Sequence, residues 1–320
     1  MPSVVRTVLG DLPASSLGAC DYHEHLFQIS PLLRGDELDN EAASEAEAES
    51  LHSAGIWATV EATPTGLGRD PGAVARISAN VGMHVVHATG AHRDEHYSAD
   101  HWVLSCNEDD LFERFEADVT DGLPAIDLPG RGAVAVGPYG DAIRAGMVKA
   151  GIGYWRMSTF ERRVLAASAR VGSATGVPVM VHLEYCSAAW EVLTALTETG
   201  LRAGRVVLAH ADRSLDPGLH AELTHAGAYL GYDGMARHRD APDSAILDCL
   251  ERVLGQGDPS RIVLGGDVSR RTRYRAYGGL PGLDYLPVRF LPRLRARVGE
   301  AMTHQLLVDN PARLLTLDRA

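Results

Sequence analysis

The chain has 320 residues, 45% of them hydrophobic, with a formal net charge of -12 and a pI near 5.6. That length suits one large barrel or two smaller domains, and the negative balance argues against a general nucleic-acid or anionic-membrane surface, so any anion must be caught by a local patch. The cysteines Cys20, Cys106, Cys186 and Cys249 are scattered without C-x-x-C spacing, the start MPSVVRTVLGDL does not read as a signal peptide, and no stretch approaches the roughly 20 apolar residues of a membrane span, so the expectation is a soluble cytoplasmic protein.

In chain order, about eight short β-rich runs alternate with helical stretches. They are a segment ending over Asp21 to Leu26, then IWATVEAT (56–63), MHVVHATG (83–90), AGMVKAG (145–151), VPVMVHL (177–183), RVVLAHA (205–211), GAYLGYDG (227–234) and RIVLGGD (261–267). Helical spacing over 42–54 and 159–174 reads as part of an outer ring. The interval 92–143 holds the acidic NEDDLFERFEADVTD and a Gly/Pro-rich stretch; it is too short for its own core and reads as an elaborated connection. The pattern predicts an α/β protein with the (β/α)8 TIM-barrel fold, one hydrolase barrel domain over residues 1–320.

The chemistry collects at the ends of these runs. In His23-Glu24-His25 the alternation of a strand sends both imidazoles to one side. His182 closes VPVMVH, His210 closes RVVLAH and Asp267 closes RIVLGGD, and strand ends converge on a barrel's mouth. A single such histidine would be structural; several in succession with an aspartate point to metal binding. Lys149, ending the apolar AGMVK, either snorkels out, pairs with a carboxylate, or has reacted with carbon dioxide to give a carbamate able to bridge two cations.

This order of His-x-His, Lys, His, His and Asp, with TVLGDLPASSLGACDYHEHLF, TPTGLGRDP, ATGVPVMVHLE and VDNPARLL, resembles the phosphotriesterase-like branch of the amidohydrolase superfamily over nearly the whole chain. The resemblance implies that His23, His25 and Asp267 bind one metal, that His182 and His210 bind another, and that carboxylated Lys149 and a hydroxide bridge them. Two divalent cations are therefore expected, zinc by default and manganese or cobalt as alternatives. Asp267 is the expected catalytic proton acceptor. A homodimer is implied by the resemblance alone.

After Asp267 comes VSRRTRYRAYGGLPG, with Arg270, Arg271, Arg273 and Arg275 and no acid from Val268 to Gly282. These arginines either pair with surface acids or bind phosphate, as loops after the last two barrel strands often do. Arg-Arg-x-x-Tyr followed by Ala-Tyr-Gly-Gly resembles a subgroup that hydrolyses phosphorylated sugar lactones, which implies that Arg271 and Tyr274 hold the phosphate, with Arg237 or Arg239 of DGMARHRD assisting. His92, Arg93 and Tyr97 are further candidates at the mouth, whereas His84 and His87 read as strand packing and Gly66, Gly68 and Arg69 as a tight turn. The expected partner is a small anionic ester or lactone. Alternatives are a phosphotriesterase, a neutral lactonase, an amidase, or a catalytically silent binding barrel.

Overall fold

In the computed structural model, which describes residues 3–318, each of the eight expected runs contains a strand, and the eight pair in sequence order as one parallel sheet. Two further strands, β1 (Val4–Thr7) and β2 (Gly10–Pro13), precede them as an antiparallel hairpin that the sequence reading missed. The barrel strands are β3 (Cys20–Glu24), β4 (Ala58–Glu61), β5 (His84–Gly90), β6 (Met147–Gly151), β7 (Val179–His182), β8 (Val206–Ala209), β9 (Tyr229–Tyr232) and β10 (Ile262–Leu264). The ends of the sheet meet where β10 packs against β3 and the Asp267 N–H donates to the His23 carbonyl at 2.9 Å.

The helices are α1 (Glu41–Ser53), α2 (Pro71–Val81), α3 (Glu108–Thr120), α4 (Thr159–Thr175), α5 (Ala189–Glu198), α6 (Pro217–His225), α7 (Asp243–Gln256), α8 (Leu291–His304) and α9 (Asn310–Leu315). Their starts are written locally. Ser158 and Glu161 form a capping box on α4, Asn107 and Asp110 another on α3, and Asp70-Pro71 and Asp216-Pro217 open α2 and α6 with an acceptor followed by a residue that has no N–H to satisfy. The acidic stretch of the long connection is thus a helix. No helix among the described residues is long and apolar enough to cross a membrane.

Period-two alternation divides the strand residues into two cores. Tyr22, Val60, Val86, Met147, Met180, Val207, Tyr229 and Val263 fill the barrel interior, while Val85, Val148, Val179, Val181, Leu208, Leu230 and Leu264 pack outward beneath the helices. The interior layer is the floor of the site. Its lower end is closed by the hairpin and the C-terminal segment: Val5 joins the same core as Leu314 and Leu315, and the Leu317 N–H donates to the Val4 carbonyl at 2.8 Å.

The TGLGRD turn ties the long connection to the barrel. The buried Arg69 guanidinium bonds Asp118 of α3 at 2.9 Å and Asp127 at 2.8 Å, and Asp127 also accepts the Gly66 N–H at 2.8 Å. Arg69 is structural, as its place in a turn suggests.

Candidate metal centre

Plain strand alternation and three departures from it bring the ligand candidates together. The pairing of β3 with β4 shifts register between Asp21 and Glu24, and Tyr22 packs in the barrel interior while the neighbouring His23 enters the mouth. Lys149 and His182 lie two residues beyond the interior residues Met147 and Met180, so simple alternation turns both inward. His210 follows interior Ala209, and its left-handed backbone (φ 62°) re-aims the ring into the mouth. Asp267, also left-handed (φ 41°), follows Gly265-Gly266; a Cβ on Gly266 would sit 2.1 Å from Glu24 Oε1 and force that buried carboxyl to move.

Each histidine has one ring nitrogen engaged by a neighbour that fixes its orientation. Asp233, just past β9, lies 2.9 Å from His23 Nδ1 and 2.6 Å from His210 Nδ1, and it also accepts from the Tyr22 hydroxyl. That hydroxyl crosses the barrel over Gly231, where any Cβ would fall 1.7 Å from it. His25 Nδ1 lies 2.6 Å from Thr63 Oγ1, and His182 Nε2 lies 2.9 Å from Glu184 Oε1. Burial alone would raise the Asp233 carboxyl, but His210 and His23 hold it well below the usual carboxylate range. An ionised Asp233 only accepts, so His23 and His210 donate through Nδ1 and keep Nε2 lone pairs.

The remaining nitrogens converge. His23 Nε2 and His25 Nε2 lie 3.8 and 3.5 Å from Asp267 Oδ1, and His210 Nε2 lies 2.8 Å from His182 Nδ1. Burial is the main cause that lowers the pKa of all four imidazoles, aided at His210 by Arg213 and taking that ring down to about 3. The rings are neutral near pH 7 and able to coordinate. His23, His25 and Asp267 form one cluster with metal-ligand spacing. His23, His210 and Asp233 form another by distance, but the Asp233 oxygens are already used by two imidazoles and a tyrosine, so Asp233 orients ligands. The donor set of imidazole and carboxylate fits divalent cations.

Lys149 is the only lysine in a chain with 30 basic residues. Its amine is buried, 2.9 Å from His23 Nε2 and 3.0 Å from Met180 Sδ, and it forms no ion pair among the described residues. Burial pulls its pKa to about 8, against the pull of Asp267 and Asp233.

The mouth is a cleft of about 110 Å³ lined by these groups and by His92, His96, Arg93, Arg213, Arg237 and Arg270. Burial would raise the Asp267 carboxyl, yet Arg237 and His23 hold it well below the usual range, and Arg237 contacts both its carboxylate and its backbone carbonyl. Glu184 gathers the other side: Oε1 lies 3.0 Å from Arg93 and Oε2 lies 3.7 Å from Arg213.

The expected substrate residues divide. Arg237 and His92 border the cleft, whereas Arg239 is exposed and lies outside its lining. Arg271 is also exposed, its guanidinium 5.6 Å from the Tyr277 ring. Tyr274 departs from the expectation: it is fully buried and its hydroxyl donates to the His25 carbonyl, so it braces the backbone at His25. Tyr97 is likewise buried, donating to the Thr65 carbonyl at 3.0 Å and accepting the His92 N–H at 3.0 Å. Arg270 borders the cleft instead and pairs with Asp36 at 3.5 Å. Asp233, Glu184 and Arg213 escaped the sequence reading; the signal for Asp233 was one more acid closing a strand run.

A parallel barrel with oriented imidazoles and a carboxylate at its strand ends defines a hydrolase of the lactonase- and phosphotriesterase-like kind. The chain belongs to the phosphotriesterase family, whose model matches residues 3–315. It is 28% identical to a phospho-furanose lactonase of Mycoplasmopsis synoviae (strain 53), over 98% of this chain and 92% of that protein. It is 25% identical to the N-acetyltaurine hydrolase of Homo sapiens, over 98% and 97% of the two chains. Among solved structures, a lactonase from Listeria monocytogenes superposes with a TM-score of 0.88 at 28% identity, covering 99% of this chain and 100% of that one.

Proposed function

We propose that the chain opens a small anionic ester, best represented by a phosphorylated sugar lactone, at a centre of two divalent cations. The observation that carries this reading is the set of imidazole nitrogens left free by Asp233, Thr63 and Glu184, sharing a small cleft with Asp267, Lys149 and four arginines. His23, His25 and Asp267 would hold one cation and His182 and His210 the other, with N6-carboxylated Lys149 joining them. Zinc is the default metal and manganese or cobalt the alternatives. When bound, the cations supply a water of lowered pKa and polarise the scissile carbonyl.

The chain's own residues do the rest. Asp267, held ionised, takes the proton and carries it to the departing alkoxide. Arg93, Arg213, Arg237 and Arg270 meet the substrate's anionic group, for which guanidinium suits bidentate phosphate binding. The four arginines bordering the cleft favour an anionic substrate over a neutral phosphotriester. The phospho-furanose lactonase relative supports the substrate class. A second reading, hydrolysis of an amide bearing an anionic group, uses the same arginines and is supported by the N-acetyltaurine hydrolase relative.

The test is proton release by zinc- or manganese-loaded protein on pentono-lactones with and without a terminal phosphate, N-acetyltaurine and an aryl phosphotriester. Preference for the phosphorylated lactones is expected. Activity confined to N-acetyltaurine would select the amide reading, and activity confined to neutral substrates would remove the anion from both.

A further inference from the structure

The structure assigns an aromatic subsite beside the metal cleft, which we infer holds a ring of the substrate away from the bond that breaks. The inference rests on the hydrolase reading and extends it. Tyr154 and Trp155 follow β6, Tyr185 follows β7, and with Arg213 and Ser214 they line a depression of about 550 Å³. Arg213 also borders the metal cleft, so the two spaces share a wall. The three rings are 62%, 64% and 50% exposed. Tyr154 stands nearly perpendicular to both neighbours, with centroids 6.5 Å from Trp155 and 6.2 Å from Tyr185.

Hydrophobic burial does not explain three large aromatic side chains left open to water, and the backbone beneath them is strained. Of the eight non-glycine residues with left-handed φ among the described residues, Trp155, Tyr185, Cys186 and Ala188 lie in these two loops, at 49°, 54°, 55° and 53°. Such conformations persist where the surroundings hold them, and they cluster at binding sites. Here the Trp155 N–H donates to Ser187 Oγ at 3.1 Å, joining the two loops. The neighbouring guanidinium disfavours a cationic guest. It suits an anionic compound carrying a planar aryl ring or the C–H face of a sugar, both of which stack on tyrosine and tryptophan.

The probes are methyl phosphate, phenyl phosphate and methyl glucoside 6-phosphate, titrated into metal-loaded protein by calorimetry and tryptophan fluorescence, with hydrolysis of methyl and benzyl esters of a phosphorylated hydroxy acid run alongside. Tighter binding of a ring-bearing phosphate than of methyl phosphate is expected, by about five- to thirtyfold. Tyr154→Ala and Trp155→Ala should remove that preference, and Trp155→Phe should retain it with an unchanged melting temperature. Preference for the phenyl or the glucosyl compound identifies the ring as aryl or sugar. Ring preference without turnover of either ester, together with silence on the phosphorylated lactones and N-acetyltaurine, would sink the proposed reaction and leave the subsite standing. Equal binding of all three phosphates, or variants that abolish a dimer in sedimentation while ring binding is unchanged, would overturn the subsite.

Discussion

Asp233 is the residue on which the geometry of the centre turns, since it fixes two imidazoles on different strands at once. Asn at this position offers one oxygen in place of two, so Asp233→Asn should weaken metal binding by about 10–100-fold with little change in fold, read by metal competition and circular dichroism. Asp267→Asn should abolish turnover while circular dichroism shows the fold retained, since the acceptor of the proton is lost, with a lower melting temperature because Arg237 loses its partner. Lys149 gives a pH signature. Its pKa is lowered from 10.5 to about 8, so the free amine grows as pH rises through 8. Reconstitution of metal-free protein with zinc at a fixed concentration of dissolved carbon dioxide should therefore quicken from pH 7 to 9; a rate independent of pH would argue against carboxylation. All six ligand candidates that the sequence marked border the mouth: Lys149, His182, His210 and Asp267 close β-rich runs, and His23 and His25 are paired by strand alternation. The sequence reading misplaced Tyr274 because a motif records spacing without direction, and here the hydroxyl turns inward to the His25 carbonyl.

At the scale of elements, the eight barrel strands were legible because they are buried on both faces and bounded by turn residues, which makes continuous apolar runs. The hairpin of β1 and β2 was not: it has four residues per strand, carries Arg6 and Asp11 within it, and gains its place by packing against residues some 310 positions away in sequence, such as Leu314. The acidic helix α3 was hidden for a related reason. What secures its connection is Arg69, which reaches Asp118 and Asp127 from another loop. Arg69→Ala would strand two buried carboxylates and should cost about 3–5 kcal/mol in urea unfolding, whereas Arg76→Ala, which breaks the exposed pair with Glu41, should cost less than about 1 kcal/mol.

At the scale of the molecule, the fold gathers ligand candidates from strands far apart in the chain, so metal occupancy couples to global stability. A cation present at a thousand times its dissociation constant adds about 4 kcal/mol, which for a chain of this size should raise the melting temperature by roughly 6 °C. A chelator should reverse the rise; an unchanged melting curve would mean that these side chains bind no metal. The chain carries a net charge of -12, yet four arginines, Arg93, Arg213, Arg237 and Arg270, border the cleft that holds the ligand candidates. The same economy governs amines. With Lys149 as the only lysine, carbon-13 bicarbonate should yield one side-chain carbamate resonance against an empty background. Acylating reagents that seek side-chain amines have a single target, and because that amine is buried among the ligand candidates, the intact mass of the labelled protein should count only the molecules whose barrel has opened.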